Sequence, residues 1–509
     1  MIAKRMDARP PVSLVMAIPD HPWTKATRDA AAVRIAMTVA EAGKREGVLL
    51  EVVRESGLDT DAPEVVLSEA AGKLHADLSA GVNVTSVQKL RANSGICHDG
   101  VKLHGSGFIT TELEATALGL GRREGLETFV RPYRNGRDLA ARSRKLLVID
   151  LFGMDESEVR RRFPEIYQHL LQTVRSARRE QVERSHTADA EAYLSQWWVF
   201  GKPRPELRPA LVGLPNYIAT VDTAAHRVFQ FLPTEVVCDD KVVLIASDEQ
   251  SHLGILSSAI HVTWATRLGG WLGMGNDSVY VKTKTFDPFL FPDATPEQRR
   301  IIGDLAEELD ATRKEVLGEH GDLTLTGLYN LREKLKKGEA FTPAEQDART
   351  RGRVDIIAEL HDRIDDAVAD AYGWPRDLSD EEIVGRLVAL NAERHREEQA
   401  GTVRWLRPDY QIPRAGLTQL PVAARPEQIE ALLPDAKARK PAFPRDAIGQ
   451  TAAVLDELRG GGALSAADIA RRYAQGLKVE RRIGATLEAL ARLGHLVVEG
   501  GGYRLRKAA

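Results

Sequence analysis

Apolar and polar positions divide the chain into five stretches. The first, residues 1–110, holds two short runs with no polar face, Pro11 to Ile18 and AAVRIAMTVA over 31–40. Runs this short and apolar on both sides predict strands buried on both faces of an α/β sheet. The polar, turn-rich PDHPWTKATRD lies between them. Residues 111–294 mix β-like runs, LLVIDLF (146–152) and VVLIAS (242–247), with glycines, prolines and aromatics, which predicts an α+β domain. A basic helix is expected from about Pro164 to Glu183. An apolar helix, HLGILSSAIHVTWATRLGG, is expected to stop at Gly269 and Gly270.

Residues 295–411 have helical periodicity. Thr295-Pro296-Glu297-Gln298 opens a helix, with threonine as cap and proline at the first helical position. Ile301, Ile302, Leu305, Leu309 and Val316 follow as its apolar stripe, and Ile356, Ile357, Leu360, Ile364 and Val368 form a second. A third helix starts at Ser379, with acids in its first turn. This predicts a helical bundle. Proline-rich residues 412–445 read as a linker. Residues 446–509 show three helical stripes and then HLVVEGGGYRLRK, a hairpin with a glycine-rich turn. Three helices and a two-stranded wing are the pattern of a C-terminal winged helix.

Composition narrows the function classes. The net charge of -3 over 509 residues does not mark a nucleic-acid binder, so any basic surface must be local. The two cysteines, Cys97 and Cys238, suit a reduced, cytoplasmic protein and are too few for a zinc site. No apolar run reaches the ~20 residues of a membrane span, and the run at 12–18 is too short for a good signal peptide. No phosphate-binding loop is present, nor a nuclease-type acidic cluster. His361-Asp362 reads as a solvated helix face, and Trp197-Trp198 as core.

The candidate chemistry is cationic. Residues 131–145 hold six basic residues and one acid, and Asn135-Gly136 suggests a tight turn presenting them. Arg131, Tyr133, Arg134, Asn135, Arg137, Arg142, Arg144 and Lys145 are therefore candidate DNA contacts, since arginine suits phosphate clamping and guanine reading. Arg175, Arg178 and Arg179 on the basic helix could track a phosphate backbone. Arg227, Lys282 and Lys284 are further candidates. Arg481 and Arg482 lie on the third helix of the terminal unit, the helix that enters the major groove in such folds.

Longer strings carry a resemblance. RPYRNGRDL (131–139), VIDLFG (148–153), QWWVFGKPRPELRPALVGLPNYIATV (196–221), HRVFQFLP (226–233), LGILSSAIHVTWA (253–265) and TKTFDPFLFP (283–292) are six of them. LTLTGLYN (323–330), DAVADAYGWPRDLSDEEIVGRLVALNAER (366–394) and VRWLRPDYQ (403–411) are three more. Together they resemble the C-terminal part of MmeI-like type II DNA methyltransferases, which fuse a methylase to a target-recognition domain. The resemblance implies a remnant of a Rossmann-like methyltransferase sheet (late strands) over 1–110, a target-recognition domain over 111–294 and a helical domain over 295–411. It implies site-specific adenine-N6 methylation of double-stranded DNA, in restriction-modification or phage defence. Such enzymes need a glycine-rich cofactor loop and an Asn/Asp-Pro-Pro-aromatic turn for the flipped base. Leu214-Pro215-Asn216-Tyr217 has the wrong order, and Gly269-Gly270-Trp271-Leu272-Gly273-Met274-Gly275 follows a helix rather than a buried strand. No catalytic, cofactor-binding or metal residue is therefore assigned. S-adenosylmethionine is expected on a partner methyltransferase chain. A DNA-binding regulator derived from a methylase is the alternative.

Overall fold

A computed structural model describes residues 5–6, 11–23, 33–58, 60, 63–76, 78–272, 277–416, 443–444, 447–458, 463–492, 494–499 and 502–505. Two compact units emerge, Met1–Ala415 with Pro421–Glu430, and Gly416–Leu420 with Ala431–Ala509. Most of the expected linker over 412–445, residues 417–442, lies outside the described residues.

The first unit begins with β1 (Val12–Trp23), β2 (Val33–Ala42), β3 (Gly47–Ser56) and β4 (Glu64–Gly72), in the order β2-β1-β3-β4. Only β1 and β3 run parallel; the outer pairs are antiparallel. Leu14, Ala17 and Leu49 pack with Leu74 in a small core. β2 departs from the two-sided burial expected of 31–40. None of its residues is buried, and Val33 and Val39 are 50% and 46% exposed. It is an outer strand and, among the described residues, has a strand neighbour on one edge only.

Then follow β5 (Cys97–Asp99), β6 (Ile109–Thr110), β7 (Val130–Arg134), β8 (Leu147–Ile149), β9 (Asn216–Val221), β10 (Thr223–Ala224), β11 (Gln230–Pro233), β12 (Val237–Cys238), β13 (Val242–Ile245), β14 (Trp271–Leu272) and β15 (Asp277–Val279). Two four-stranded sheets, β11-β9-β13-β5 and β12-β7-β8-β6, carry the framework, and a small third runs β10-β15-β14. β5 and β6 precede the break expected at 110, yet they pair with β13 and β8 beyond it. Strands this short leave no periodicity to read.

Helices from Glu156 to Ser195 cover the sheet containing β7 and β8. Val148, Ile149, Phe163, Ile166, Leu170 and Trp197 fill the space between. Trp197 and Trp198 are stacked edge to face in this core, as their sequence reading anticipated. The other sheet is covered by Gln250–Ser257, Ala259–Gly269 and Pro296–Glu319, through Ile218, Val243, Ile245, Leu253, Leu256 and Ala306. The apolar run 251–269 is thus two helices. Ser258 is extended and caps the second, accepting a hydrogen bond from His261 N at 3.4 Å.

Two helices of 295–415 begin where their caps predict. Thr295 with Gln298, and Ser379 with Glu382, form reciprocal capping boxes. Late residues of this region grip an early strap. Buried Glu398 accepts the amides of Arg91 and Ala92 at 2.8 and 2.9 Å. Gln411 Nε2 donates to the carbonyls of Ala92 and Ser94, both at 2.9 Å. His361 is a correction: it is buried rather than solvated, and its Nε2 lies 2.7 Å from Tyr329 Oη.

In the second unit, helices Ala447–Leu458, Ala466–Ala470 and Glu480–Arg492 precede β16 (Leu496–Glu499) and β17 (Gly502–Leu505). Leu464 adds a bridge to Tyr503. Val454, Leu458, Ile469, Ile483, Leu487 and Leu490 form its core. These are the three helices and hairpin read over 446–509.

Candidate nucleic-acid interface

The end of β5, the β12–β13 turn and the end of β7 converge. β12 pairs in parallel with β7, and Val101 bridges Asp239. Gly100 makes this approach possible: a Cβ there would lie 2.1 Å from Asp239 O and 2.4 Å from Cys238 O. The strand after Gly100 also exchanges backbone hydrogen bonds between Lys102 and Lys202.

This convergence assembles a strip of mixed charge. Lys282 Nζ and Arg204 NH2 lie 3.3 and 3.7 Å from Asp99. Lys102 meets Asp240 at 3.5 Å, and Lys241 meets Asp222 at 3.8 Å. Exposed Lys202 and Arg137 complete it, so cations outnumber carboxylates. A depression of about 340 Å³ opens beside it, lined by Asn135, Gly136, Arg137, Val221, Asp239 and Lys241, among others. Burial, reinforced by adjacent Asp240, raises the Asp239 carboxyl to about 6, although the Lys241 amide donates to it at 3.0 Å. Burial also raises Asp222. Paired cations and carboxylates on one strip can offer both donors and acceptors to base edges, and cations to phosphates.

The residues singled out in the sequence fall into three groups. Tyr133, Arg178 and Arg227 are 3%, 2% and 8% exposed, which removes them as direct contacts. Arg178 donates to the carbonyls of Leu103, His104 and Tyr193 at 2.9, 2.9 and 2.7 Å, and to Gln196 at 3.3 Å. Arg227 donates to Val221 and Ser278 carbonyls. Burial lowers both guanidinium pKa values to about 10.

A second group is occupied by framework. Arg131 donates to the carbonyls of Glu235 and Thr234. Arg144 clasps buried Asp138 through two bonds of 2.9 Å. Arg134 donates to Tyr133 O, and Arg175 lies over the Trp197 ring. Asn135 caps the short helix Gly136–Ala140 by a capping box with Asp138, so Asn135-Gly136 starts a helix instead of making a tight turn. Lys282 is held by Asp99 within the strip.

The third group is exposed: Arg137, Arg142, Lys145, Arg179, Lys284, Arg481 and Arg482. The structure joins Arg137 and Lys282 in the strip and leaves Arg142, Lys145, Arg179 and Lys284 outside the contacts that define it; Arg481 and Arg482 belong to the second unit. Lys102, Lys202, Arg204 and Lys241 were missed by sequence reasoning. Their local signals, such as Lys202-Pro203-Arg204 and Asp239-Asp240-Lys241, are ordinary, and only strand pairing brings them together.

Motifs weighed for methyl-transfer chemistry have structural roles. Tyr217 is fully buried and its hydroxyl donates to Val236 O at 2.9 Å. A Cβ on Gly269 would lie 1.9 Å from Val279 O, so this glycine serves close packing. Gly273, Met274 and Gly275 lie outside the described residues. Among the described residues, no group of three or more His, Cys, Asp or Glu could hold a metal ion. No described helix is long and apolar enough to cross a membrane. Cys97 and Cys238 are buried and unbridged.

Residues 84–293 match the family described as MmeI, target recognition domain, which bears out the resemblance read from the sequence. The solved structure of the type IIL restriction-modification enzyme MmeI in complex with DNA aligns with a TM-score of 0.56 and 17% identity, over 76% of this chain and 46% of that one. The type IIG restriction endonuclease BpuSI aligns with a TM-score of only 0.22 and 10% identity, over 70% of this chain and 44% of that one. The chain thus spans less than half the length of the MmeI chain, with which it shares a mixed α/β fold of small sheets and helices. No curated protein matches it.

Proposed function

We propose that this chain is the DNA-recognition part of a site-specific adenine-N6 DNA methyltransferase of restriction-modification or phage defence. The observation that carries this reading is that the charged strip is built wholly from residues inside the segment matching the MmeI target recognition domain. Duplex DNA lies against the strip, where Arg137, Lys202 and Lys241 meet phosphates and the carboxylates meet base donors. A partner methyltransferase chain supplies the S-adenosylmethionine site and the pocket for the flipped base. Support for a partner comes from β2, an outer strand with exposed valines and, among the described residues, a strand neighbour on one edge only, an arrangement that invites pairing.

The test is co-purification with a neighbouring methylase, then methylation assays with each chain alone and both together. Site-specific methylation only by the pair is the expected result. Methylation by the 509-residue chain alone would overturn the split. Sequence-preferring DNA binding with no methylase partner would favour the regulator reading.

A further inference from the structure

We infer that the C-terminal unit is a second duplex-DNA-binding module, one that grips the phosphate backbone without reading sequence. It lies outside the segment matched to the target recognition domain. From 471 to 507 the chain has nine Lys and Arg against three Glu, whereas the whole chain is slightly acidic. The helix Glu480–Arg492 buries Ile483, Leu487 and Leu490, which turns Arg481, Ala485, Glu488 and Arg492 outward. On the outward face Ala485 and Glu488 stand between Arg481 and Arg492, so the cations sit at the two ends of the helix, where they can reach flanking phosphate strands.

Many cations of the first unit are neutralised in place. Arg300, Arg349, Arg351, Arg353 and Arg376 are exposed or half-buried but each sits on a carboxylate. In the second unit, Arg471 and Arg472 follow that habit, with Asp468 and Glu457. Lys478, Arg481 and Arg492 do not: among the described residues they have no ion-pair partner. Arg482 lies over the Phe443 ring, 6.0 Å from its centroid, which fixes its direction without neutralising it. Cations left unneutralised on one helix and the turn before it suit a polyanion. The competing occupant is a protein, because Leu477, Val497 and Val498 are 54%, 41% and 62% exposed on the same unit. Those residues are scattered over a turn and the two faces of one strand. Lys478, Arg481, Arg482 and Arg492 instead lie on one helix and the turn before it.

The experiment measures anisotropy of labelled non-cognate duplex with the full chain across a salt series. A Lys478→Ala, Arg481→Ala, Arg482→Ala and Arg492→Ala variant is compared with a Leu477→Ser, Val497→Thr and Val498→Thr variant. The cation variant is expected to bind roughly tenfold or more weakly at low salt, with a log–log salt slope shallower by about 0.9 per lost contact. Preference among sequences is expected to persist, since it belongs to the strip; loss of preference with retained non-cognate affinity would instead count against the target-recognition reading. Hydrogen exchange keeps the inference falsifiable even where the variant folds poorly: duplex should protect residues 478–492 of the unmodified chain. Unchanged affinity and slope, or no protection, overturns it. Self-association that the apolar variant abolishes, with DNA affinity intact in the cation variant, overturns it in favour of protein docking.

Discussion

Arg178 and Arg137 look alike in sequence, and their surroundings give them opposite roles. Arg178 sits among backbone carbonyls with no carboxylate near it in the hydrogen-bond set. Arg178→Leu leaves those carbonyls unsatisfied and is expected to destabilise the first unit by about 3–5 kcal/mol, read by urea unfolding. Arg137→Ala is expected to change stability by less than about 0.5 kcal/mol and to weaken duplex binding. The sequence could not tell which of Arg175, Arg178 and Arg179 is buried, because a π-helical turn over Leu171–Arg175 shifts the helix faces that follow it. Asp239 gives a pH signature. Its pKa is raised by burial from the ordinary 3.8 to about 6. The group therefore favours folding below its ordinary pKa, and that contribution is lost as pH rises through about 6. Its charge also faces the proposed phosphates only above that pH. Duplex affinity should rise as pH falls from 7.5 to 5.5 by about 0.5 log units more in the parent chain than in Asp239→Asn, checked by anisotropy at constant ionic strength.

At the scale of elements, capping residues were the most legible feature. Thr295 and Ser379 begin their helices with the side-chain bonds that their sequences predict. What escaped was anything set by a distant partner. β5 is Cys97–Asp99, three residues whose strand conformation depends on β13, nearly 150 positions later. Ser258 splits an apolar run that shows no break in its periodicity. The strap at 88–94 owes its path to Asn391, Glu398 and Gln411. Glu398→Ala removes the acceptor for two amides, and a loss of about 1–3 kcal/mol is expected. Hydrogen exchange at Arg91 and Ala92 should accelerate, while exchange within Glu480–Arg492 stays as it was. Equal acceleration in both places would show that the clamp is not local.

At the scale of the molecule, the order of stretches was legible because each has its own periodicity, from strand-like runs to helical stripes to the final hairpin. The strip was not, since its residues span Asp99 to Lys282 and meet only through sheet pairing. The two compact units have separate cores, so calorimetry should resolve two transitions. Leu487→Ala, which opens a cavity in the second core, should lower one of them by about 2–5 kcal/mol and leave the other in place. The carboxylates of the strip have a kinetic consequence. Asp99, Asp222 and Asp240 already hold Lys282, Arg204, Lys241 and Lys102 in place. Binding then exchanges one set of anions for another instead of ordering free side chains. With a net charge of -3, the chain as a whole adds little long-range pull on DNA beyond that of its local cations. If DNA binds at the strip as proposed, its engagement is a short-range event, and a mismatched site is expected to be released as the internal anions reclaim their cations.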